Sequence, residues 1–111
     1  MQVIISKLAK AEIKNLAKKY KNILSDLDEF IKEIKNNNLG DRLQGLPIPI
    51  YKSRIKNSSN NKGKSSGFRI IYHLKINNII YILSIYSKNE KGNINQKDII
   101  EAIKQLPILK T

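Results

Sequence analysis

Apolar residues recur every three or four positions in the first third of the chain, the spacing that places them on one face of an α-helix. Residues 2–6 precede this pattern as a short, mostly apolar run that predicts a β-strand. Ser6 is then a suitable N-cap for the first helix. The apolar stripe of that helix consists of Ile13, Leu16, Ala17 and Tyr20.

A second amphipathic helix is predicted after a short turn, which suggests a helical hairpin. Its apolar stripe contains Ile23 or Leu24, Leu27, Phe30, Ile31 and Ile34. Ser25, followed three residues later by Asp28, resembles a capping box, although the helical pattern extends back to Asn22. The asparagine run 36–38 and then Gly40 indicate where the helix ends.

From residue 51 the pattern changes to alternation, which is typical of β-strands. One face of the predicted strand 51–56 is cationic and consists of Lys52, Arg54 and Lys56. The other face consists of Tyr51, Ser53 and Ile55. Phe68–Lys75 and Ile79–Tyr86 are two further β-rich runs, and the Asn-containing residues 76–78 between them predict a hairpin.

These patterns define one α+β domain over residues 1–111. Residues 39–49 contain Gly45, Pro47 and Pro49 and are predicted to form a connecting loop. Asn95 with Asp98 predicts the start of a third helix that Pro107 ends. The predicted order is β-α-α-β-β-β-α. We expect the two N-terminal helices to pack on a twisted, largely antiparallel sheet, with a short helix at the C-terminus.

The composition restricts the possible chemistry. The chain has 21 Lys and Arg residues against 9 Asp and Glu residues, a formal charge of +12, which favours a polyanionic partner. It has no cysteine and one histidine, so neither a disulfide nor a dedicated metal or cofactor site is expected. No apolar run reaches the ~20 residues of a membrane span, and the apolar start is too short for a signal peptide. We therefore expect a cytoplasmic protein with no membrane partner.

The cations concentrate on and beside the predicted strands, with aromatic residues between them. No acidic residue occurs between Arg54 and Asn89. The abundance of Lys, Asn and Ile together is also what a coding sequence rich in A and T produces. That bias does not explain Arg54 and Arg69, which both fall within strand patterns. A basic sheet surface of this kind favours RNA as the partner.

Three segments of the chain resemble the RelE/HigB-type toxins of bacterial toxin–antitoxin systems, within the RelE/ParE superfamily. They are Tyr51-Lys52-x-Arg54, Gly63-Lys64-Ser65-x-Gly67-Phe68-Arg69-Ile70-Ile71-Tyr72 and Ile85-Tyr86-Ser87-Lys88-x-Glu90. The order of elements agrees with that family as well. The resemblance implies a RelE-like fold and a metal-independent endoribonuclease that cuts messenger RNA on the ribosome. It also implies a cognate antitoxin, expected to be a helix-turn-helix DNA-binding protein.

The resemblance assigns roles to individual cations. Lys52, Arg54, Arg69 and Lys88 match the cationic positions of the family site and are the predicted catalytic residues. The predicted RNA-binding residues are Lys56, Lys62, Lys64, Tyr86 and Lys91. Some relatives carry a stacking tyrosine near the start of the last helix, where this chain reads Gly-Asn-Ile-Asn at 92–95. Tyr86 or Tyr72 is the expected substitute.

The chemistry of RNA cleavage suits such a set of cations. The 2′-hydroxyl attacks the adjacent phosphorus, so an enzyme must accept one proton, stabilise the phosphorane and protonate the leaving oxygen. Arg54 and Arg69 suit phosphate binding, because a guanidinium stays charged and binds through two donors. Lys52 among neighbouring cations is a candidate base, and Lys88 a candidate acid or second phosphate ligand.

Other residues in these strands have structural interpretations. His73 is the only histidine, but we favour a cross-strand structural role for it. Phe68 and Tyr72 alternate away from Arg69 and are expected in the core. Glu90 is expected to orient Lys88 or Arg69 rather than to act as a base.

Two alternative functions remain open from the sequence. A ParE-like toxin would share the fold and inhibit DNA gyrase by binding, although such chains usually lack the dense set of cations. A basic RNA- or ribosome-binding module would use the same residue types without cutting.

Overall fold

The computed structural model describes residues 2–34, 39–59, 67–75, 78–88, 90 and 94–106. The secondary-structure elements in chain order are β1 (Gln2–Ile5), α1 (Lys7–Lys19), α2 (Ile23–Ile34), β2 (Asp41–Arg42), β3 (Tyr51–Ile55), β4 (Phe68–Lys75), β5 (Ile79–Ser87) and α3 (Gln96–Lys104). The predicted order is confirmed, with the two-residue strand β2 added to it. This strand lies in the segment predicted as a loop, because two residues are too few to show an alternating pattern.

The five strands form one mixed sheet in the order β1-β5-β4-β3-β2. β1 runs parallel to β5, and the other three strand pairs are antiparallel. The predicted hairpin of β4 and β5 is confirmed, and Asn78 in its turn has a φ of 60°. A positive φ of this kind is common for asparagine in hairpin turns.

The helix starts follow the predicted caps in two of three cases. Ser6 Oγ accepts a hydrogen bond from Ala9 N at 3.0 Å at the start of α1. Asn95 Oδ1 accepts one from Asp98 N at 2.9 Å at the start of α3. The capping box at Ser25 is wrong, because α2 already begins at Ile23 and the Ser25 hydroxyl donates to the Asn22 carbonyl at 2.9 Å.

The sheet separates two apolar cores. Helices α1 and α2 pack on one face over the buried side chains Phe68, Ile70 and Tyr72, so the predicted core positions of Phe68 and Tyr72 are confirmed. Within α2, Ile23 is buried and Leu24 is 64% exposed, which decides between those two stripe residues. Ala17 is exposed although it lies on the predicted stripe of α1.

The second core lies on the opposite face, under α3 and the segment before β3. Its buried residues are Ile50, Ile71, Tyr81, Leu83, Tyr86, Ile99, Ala102, Ile103 and Leu106. The alternation of β4 therefore places Arg69 and His73 on the α3 side of the sheet, with Ile71 between them. In the part of the chain that the structure describes, no helix is long and apolar enough to cross a membrane.

Candidate functional site

The pairing of β3 with β4 brings the predicted catalytic cations together. Arg54 lies directly opposite Arg69, and Lys52 lies opposite Ile71, two positions further along the same face. Lys88 follows β5, and its backbone N–H donates to the Gly67 carbonyl at 3.3 Å, immediately before β4 begins. One open cleft of about 370 Å³ is lined by all four residues, Lys52, Arg54, Arg69 and Lys88.

The charges in this cleft act on one another. Partial burial lowers the pKa of Lys52, and the positive charges of Arg69, Lys88 and Arg54 lower it further, while Asp41 opposes them. Burial lowers the pKa of Arg69 as well, with Arg54 as the next cause. The fold therefore holds like charges close together at a cost, and a bound anion would relieve that cost.

Arg69 is the most enclosed of the four cations. Its side chain is 3% exposed, and one guanidinium nitrogen donates to the Phe68 carbonyl at a marginal 3.4 Å. Enclosure by neighbouring groups restricts the rotamers that this side chain can adopt. A restricted donor of this kind is suited to bind an anion in the cleft.

The remaining walls of the cleft come from residues that the sequence did not indicate. Helix α2 contributes Phe30 and Glu33, and the segment at β2 contributes Leu39, Gly40 and Asp41. The pairing of Asp41 with Lys52 across β2 and β3 places a carboxylate beside the lysine whose pKa is lowered. No motif or periodicity indicates these neighbours, because each lies far from the cations along the chain.

Gly40 fixes the position of that wall against β3. Its N–H donates to the Tyr72 hydroxyl at 3.1 Å, and the same hydroxyl lies 3.3 Å from Ser53 Oγ. A Cβ atom on residue 40 would overlap the Ser53 hydroxyl and the carbonyl of Lys52. Only glycine allows the backbone to approach β3 this closely.

Gly40→Ala is therefore expected to push the 39–41 segment away from β3. Forcing an atom into a filled site typically costs about 1–3 kcal/mol of unfolding free energy. Urea unfolding would show a lower midpoint for the variant. An unchanged midpoint would mean that this contact does not constrain the fold.

The predicted RNA-binding residues do not all reach this cleft. Lys56 is exposed and lines a neighbouring cleft of about 290 Å³ with Asp26, Glu29 and other residues. Lys62, Lys64 and Lys91 lie outside the described residues.

The two tyrosines proposed for stacking on a base are both enclosed. Tyr86 is 3% exposed within the second core, and Tyr72 is 0% exposed within the first. Burial is the main cause that raises the pKa of the Tyr86 hydroxyl, and the charge of Arg69 opposes it. In this conformation neither ring presents a face to the cleft, so stacking by either one would require the ring to become exposed.

The only histidine contacts the loop before β3. Its Nδ1 lies 2.7 Å from the Pro49 carbonyl, and its ring lies 5.8 Å from that of Tyr81, its partner across the β4–β5 pair. His73 therefore makes a cross-strand contact, as predicted, and its structural role stays a prediction. It lies four residues from Arg69 along β4, which corresponds to about 13 Å.

The prediction for Glu90 is corrected. Its carboxylate accepts a hydrogen bond from Lys19 Nζ at 2.9 Å, so it orients a lysine of α1 rather than Lys88 or Arg69. Lys19 is the last residue of α1, and its long side chain reaches the turn that follows β5. Among the described residues, no cluster of three His, Cys, Asp or Glu side chains could hold a metal ion.

Comparison with known proteins gives two findings. A family model described as the RelE toxin of the RelE/RelB toxin–antitoxin system matches residues 5–107. Among solved structures, the chain is similar to the free state of the E. coli toxin RelE carrying two arginine-to-alanine substitutions. That match has a TM-score of 0.55 and 16% sequence identity, and it covers 95% of this chain and 96% of that chain. At this identity the structural likeness supports the fold.

Proposed function

Because the chain belongs to the RelE family of toxins of toxin–antitoxin systems, we propose that it is a ribosome-dependent endoribonuclease that cleaves messenger RNA. The observation that carries this proposal is the cleft lined by Lys52, Arg54, Arg69 and Lys88. Four cations around one small cleft attract a phosphodiester and stabilise the extra negative charge of its transition state.

The two arginines suit the phosphate. Arg54 and Arg69 face each other across β3 and β4, so their guanidinium groups can bind the non-bridging oxygens from neighbouring positions. A guanidinium binds phosphate through a planar pair of donors, which an ammonium cannot reproduce. Their role is to hold the phosphate for in-line attack and to stabilise the phosphorane.

The two lysines suit proton transfer. Partial burial lowers the pKa of Lys52, and the neighbouring cations lower it further. The lowered pKa raises the fraction of neutral amine at a given pH, and only the neutral amine can accept the 2′-hydroxyl proton. Lys88, at the end of β5, then protonates the 5′-oxygen that leaves or provides a second contact to the phosphate. The cut leaves a 2′,3′-cyclic phosphate on one fragment and a 5′-hydroxyl on the other.

The partners follow from the same proposal. The ribosome would present the message in an extended form, with Lys56, Lys62, Lys64 and Lys91 as additional contacts to RNA. A cognate antitoxin, expected to be a helix-turn-helix protein, would cover the basic face and silence the toxin in the cytoplasm.

The chemistry of the cut ends tests the proposal in cells. After induced expression, new 5′ ends in translated messages are expected to carry a hydroxyl, because the 2′-hydroxyl rather than water attacks the phosphorus. Sequencing libraries prepared with and without 5′ phosphorylation would show these ends only after phosphorylation. New ends that already carry a 5′-phosphate would exclude this mechanism.

The pH dependence of cleavage tests the role of Lys52. Asp41 raises the pKa of Lys52, so Asp41→Asn removes a charge that favours the protonated amine. If neutral Lys52 is the base, cleavage rises with pH up to that pKa, and Asp41→Asn should move this rise to lower pH. Single-turnover rates over a pH series would show the shift. Asp28→Asn, on the exposed side of α2, is the control and should leave the profile unchanged.

A further inference from the structure

Glu33 is a carboxylate in the lining of the cleft that also contains the four cations. It is half-buried and lies in the last turn of α2, where it lines the cleft together with Phe30, Lys52, Arg54 and Arg69. Asp41, the other acid in the lining, is electrostatically coupled to Lys52. Glu33 also interacts with other groups of the protein, and it comes from helix α2 on the other side of the sheet, one turn after Phe30.

The position of Glu33 is unfavourable for the helix itself. The C-terminal end of a helix carries partial negative charge, so an acid there is repelled and a base is preferred. Asp26, in the first turn of α2, is in the favourable position and accepts a hydrogen bond from Ser58 N at 3.0 Å. The helix dipole therefore does not account for an acid at position 33.

The chemistry of a carboxylate restricts what it can recognise. At neutral pH it only accepts hydrogen bonds, and its two oxygens suit two parallel donors. Among the four RNA bases, guanine alone presents two adjacent donors, N1–H and the 2-amino group, on its Watson–Crick edge. Adenine and cytosine present an amino group beside an acceptor nitrogen, and uracil presents one N–H between two carbonyls. A carboxylate has about four acceptor positions, so binding a base is compatible with contacts that Glu33 makes to the protein.

We infer that Glu33 is a specificity-determining residue that binds the Watson–Crick edge of a guanine whose phosphate lies on Arg54 and Arg69. This inference rests on the proposed function and adds a base preference to it. A cleft of about 370 Å³ is within the range of sites for a single small ligand, which fits one nucleotide. Phe30, one turn before Glu33 and 4% exposed, provides an apolar edge beside the carboxylate.

The test measures binding of single nucleotides, which does not depend on cleavage. Guanosine, adenosine, cytidine and uridine 3′-monophosphates are titrated into the folded chain, and binding is followed by NMR chemical shifts. Guanosine 3′-monophosphate is expected to bind about tenfold or more tightly than the other three, as one two-pronged contact to a base allows. In Glu33→Gln that preference should disappear, while binding of the phosphate persists. Glu29→Gln, one turn earlier on the same helix and outside this cleft, should retain the preference.

The outcomes separate this inference from the proposed function. Equal binding of the four nucleotides, no binding of any of them, or a preference that survives Glu33→Gln would each overturn the role of Glu33. If the wild type shows no preference and Glu33→Gln binds all four nucleotides more tightly, the carboxylate only reduces the attraction between the cations and phosphate. That result would also overturn the role of Glu33. A guanine preference that depends on Glu33 in a chain that cuts no RNA would refute the nuclease and leave the recognition intact.

Discussion

Arg69→Ala is expected to reduce cleavage of ribosome-bound message by about 10²–10³-fold, the usual cost of removing a preorganised donor to transition-state charge. Arg69 is enclosed in β4, opposite Arg54, and its pKa is lowered by burial and by that neighbour. The charge of Arg69 therefore lowers the stability of the fold, and Arg69→Ala removes this unfavourable contribution. The variant should remain folded, bind its antitoxin and fail to arrest growth.

Two further variants serve as controls. One keeps the positive charge at position 69, and the other changes a different residue of β4. Arg69→Lys should also be poor, because an ammonium cannot replace a planar, two-pronged contact. His73→Ala changes the same strand at a residue that contacts Pro49, and it should remain largely toxic. The assignment fails if folded Arg69→Ala still arrests growth while His73→Ala does not.

Lys52→Met is expected to reduce the single-turnover rate by about 10²–10⁴-fold, the range that general acid–base groups contribute. Methionine keeps most of the length of the side chain and removes the amine. Lys52→Arg then distinguishes a base from a phosphate ligand, because arginine retains the charge but does not lose its proton. If Lys52 is the base, Lys52→Met and Lys52→Arg should be equally slow.

A lysine outside the cleft provides the matched control for Lys52. Lys18 is exposed on α1, so Lys18→Met removes the same charge from the protein without changing the cleft. Its rate should stay at the wild-type value. Recovery of activity in Lys52→Arg would contradict the role of Lys52 as base and support a role in binding phosphate.

Local patterns predict much of the sheet and of its cationic face. The pleat of each strand imposes the alternation in residues 51–56 and 68–75, so Lys52 and Arg54 share one face of their strand and Arg69 shares a face with His73. Once those strands pair as antiparallel neighbours, the cations must meet. The caps at Ser6 and Asn95 are equally local, since each is set within three residues.

The features that local patterns do not predict depend on contacts between distant segments. Glu33 and Asp41 enter the cleft because α2 and β2 pack beside β3, which no periodicity in either segment indicates. Glu90 contacts Lys19, 71 positions away, instead of the neighbouring Lys88. Tyr86 is enclosed in the core under α3, so its exposure depends on tertiary packing rather than on its place in the strand.

Acidic residues beside the cationic cleft limit nonspecific attraction to phosphate in a protein with a formal charge of +12. Nonspecific binding to phosphate grows with every added cation and carries no sequence information. Two carboxylates in the lining reduce the general attraction, and Glu33 gives the cleft a group that distinguishes between bases. Affinity and selectivity would then come from different elements, the strands β3 and β4 and the helix α2.

One measurement tests most directly whether this chain cuts messenger RNA on the ribosome. Purified chain is mixed with a message positioned on ribosomes, and in parallel with the same message free in solution, and cleavage is followed at single turnover. We expect cutting of the ribosome-bound message, with 5′-hydroxyl ends, and far slower cutting of the free RNA. Folded protein that leaves the ribosome-bound message intact, or that cuts both RNAs at the same rate, would contradict a ribosome-dependent nuclease.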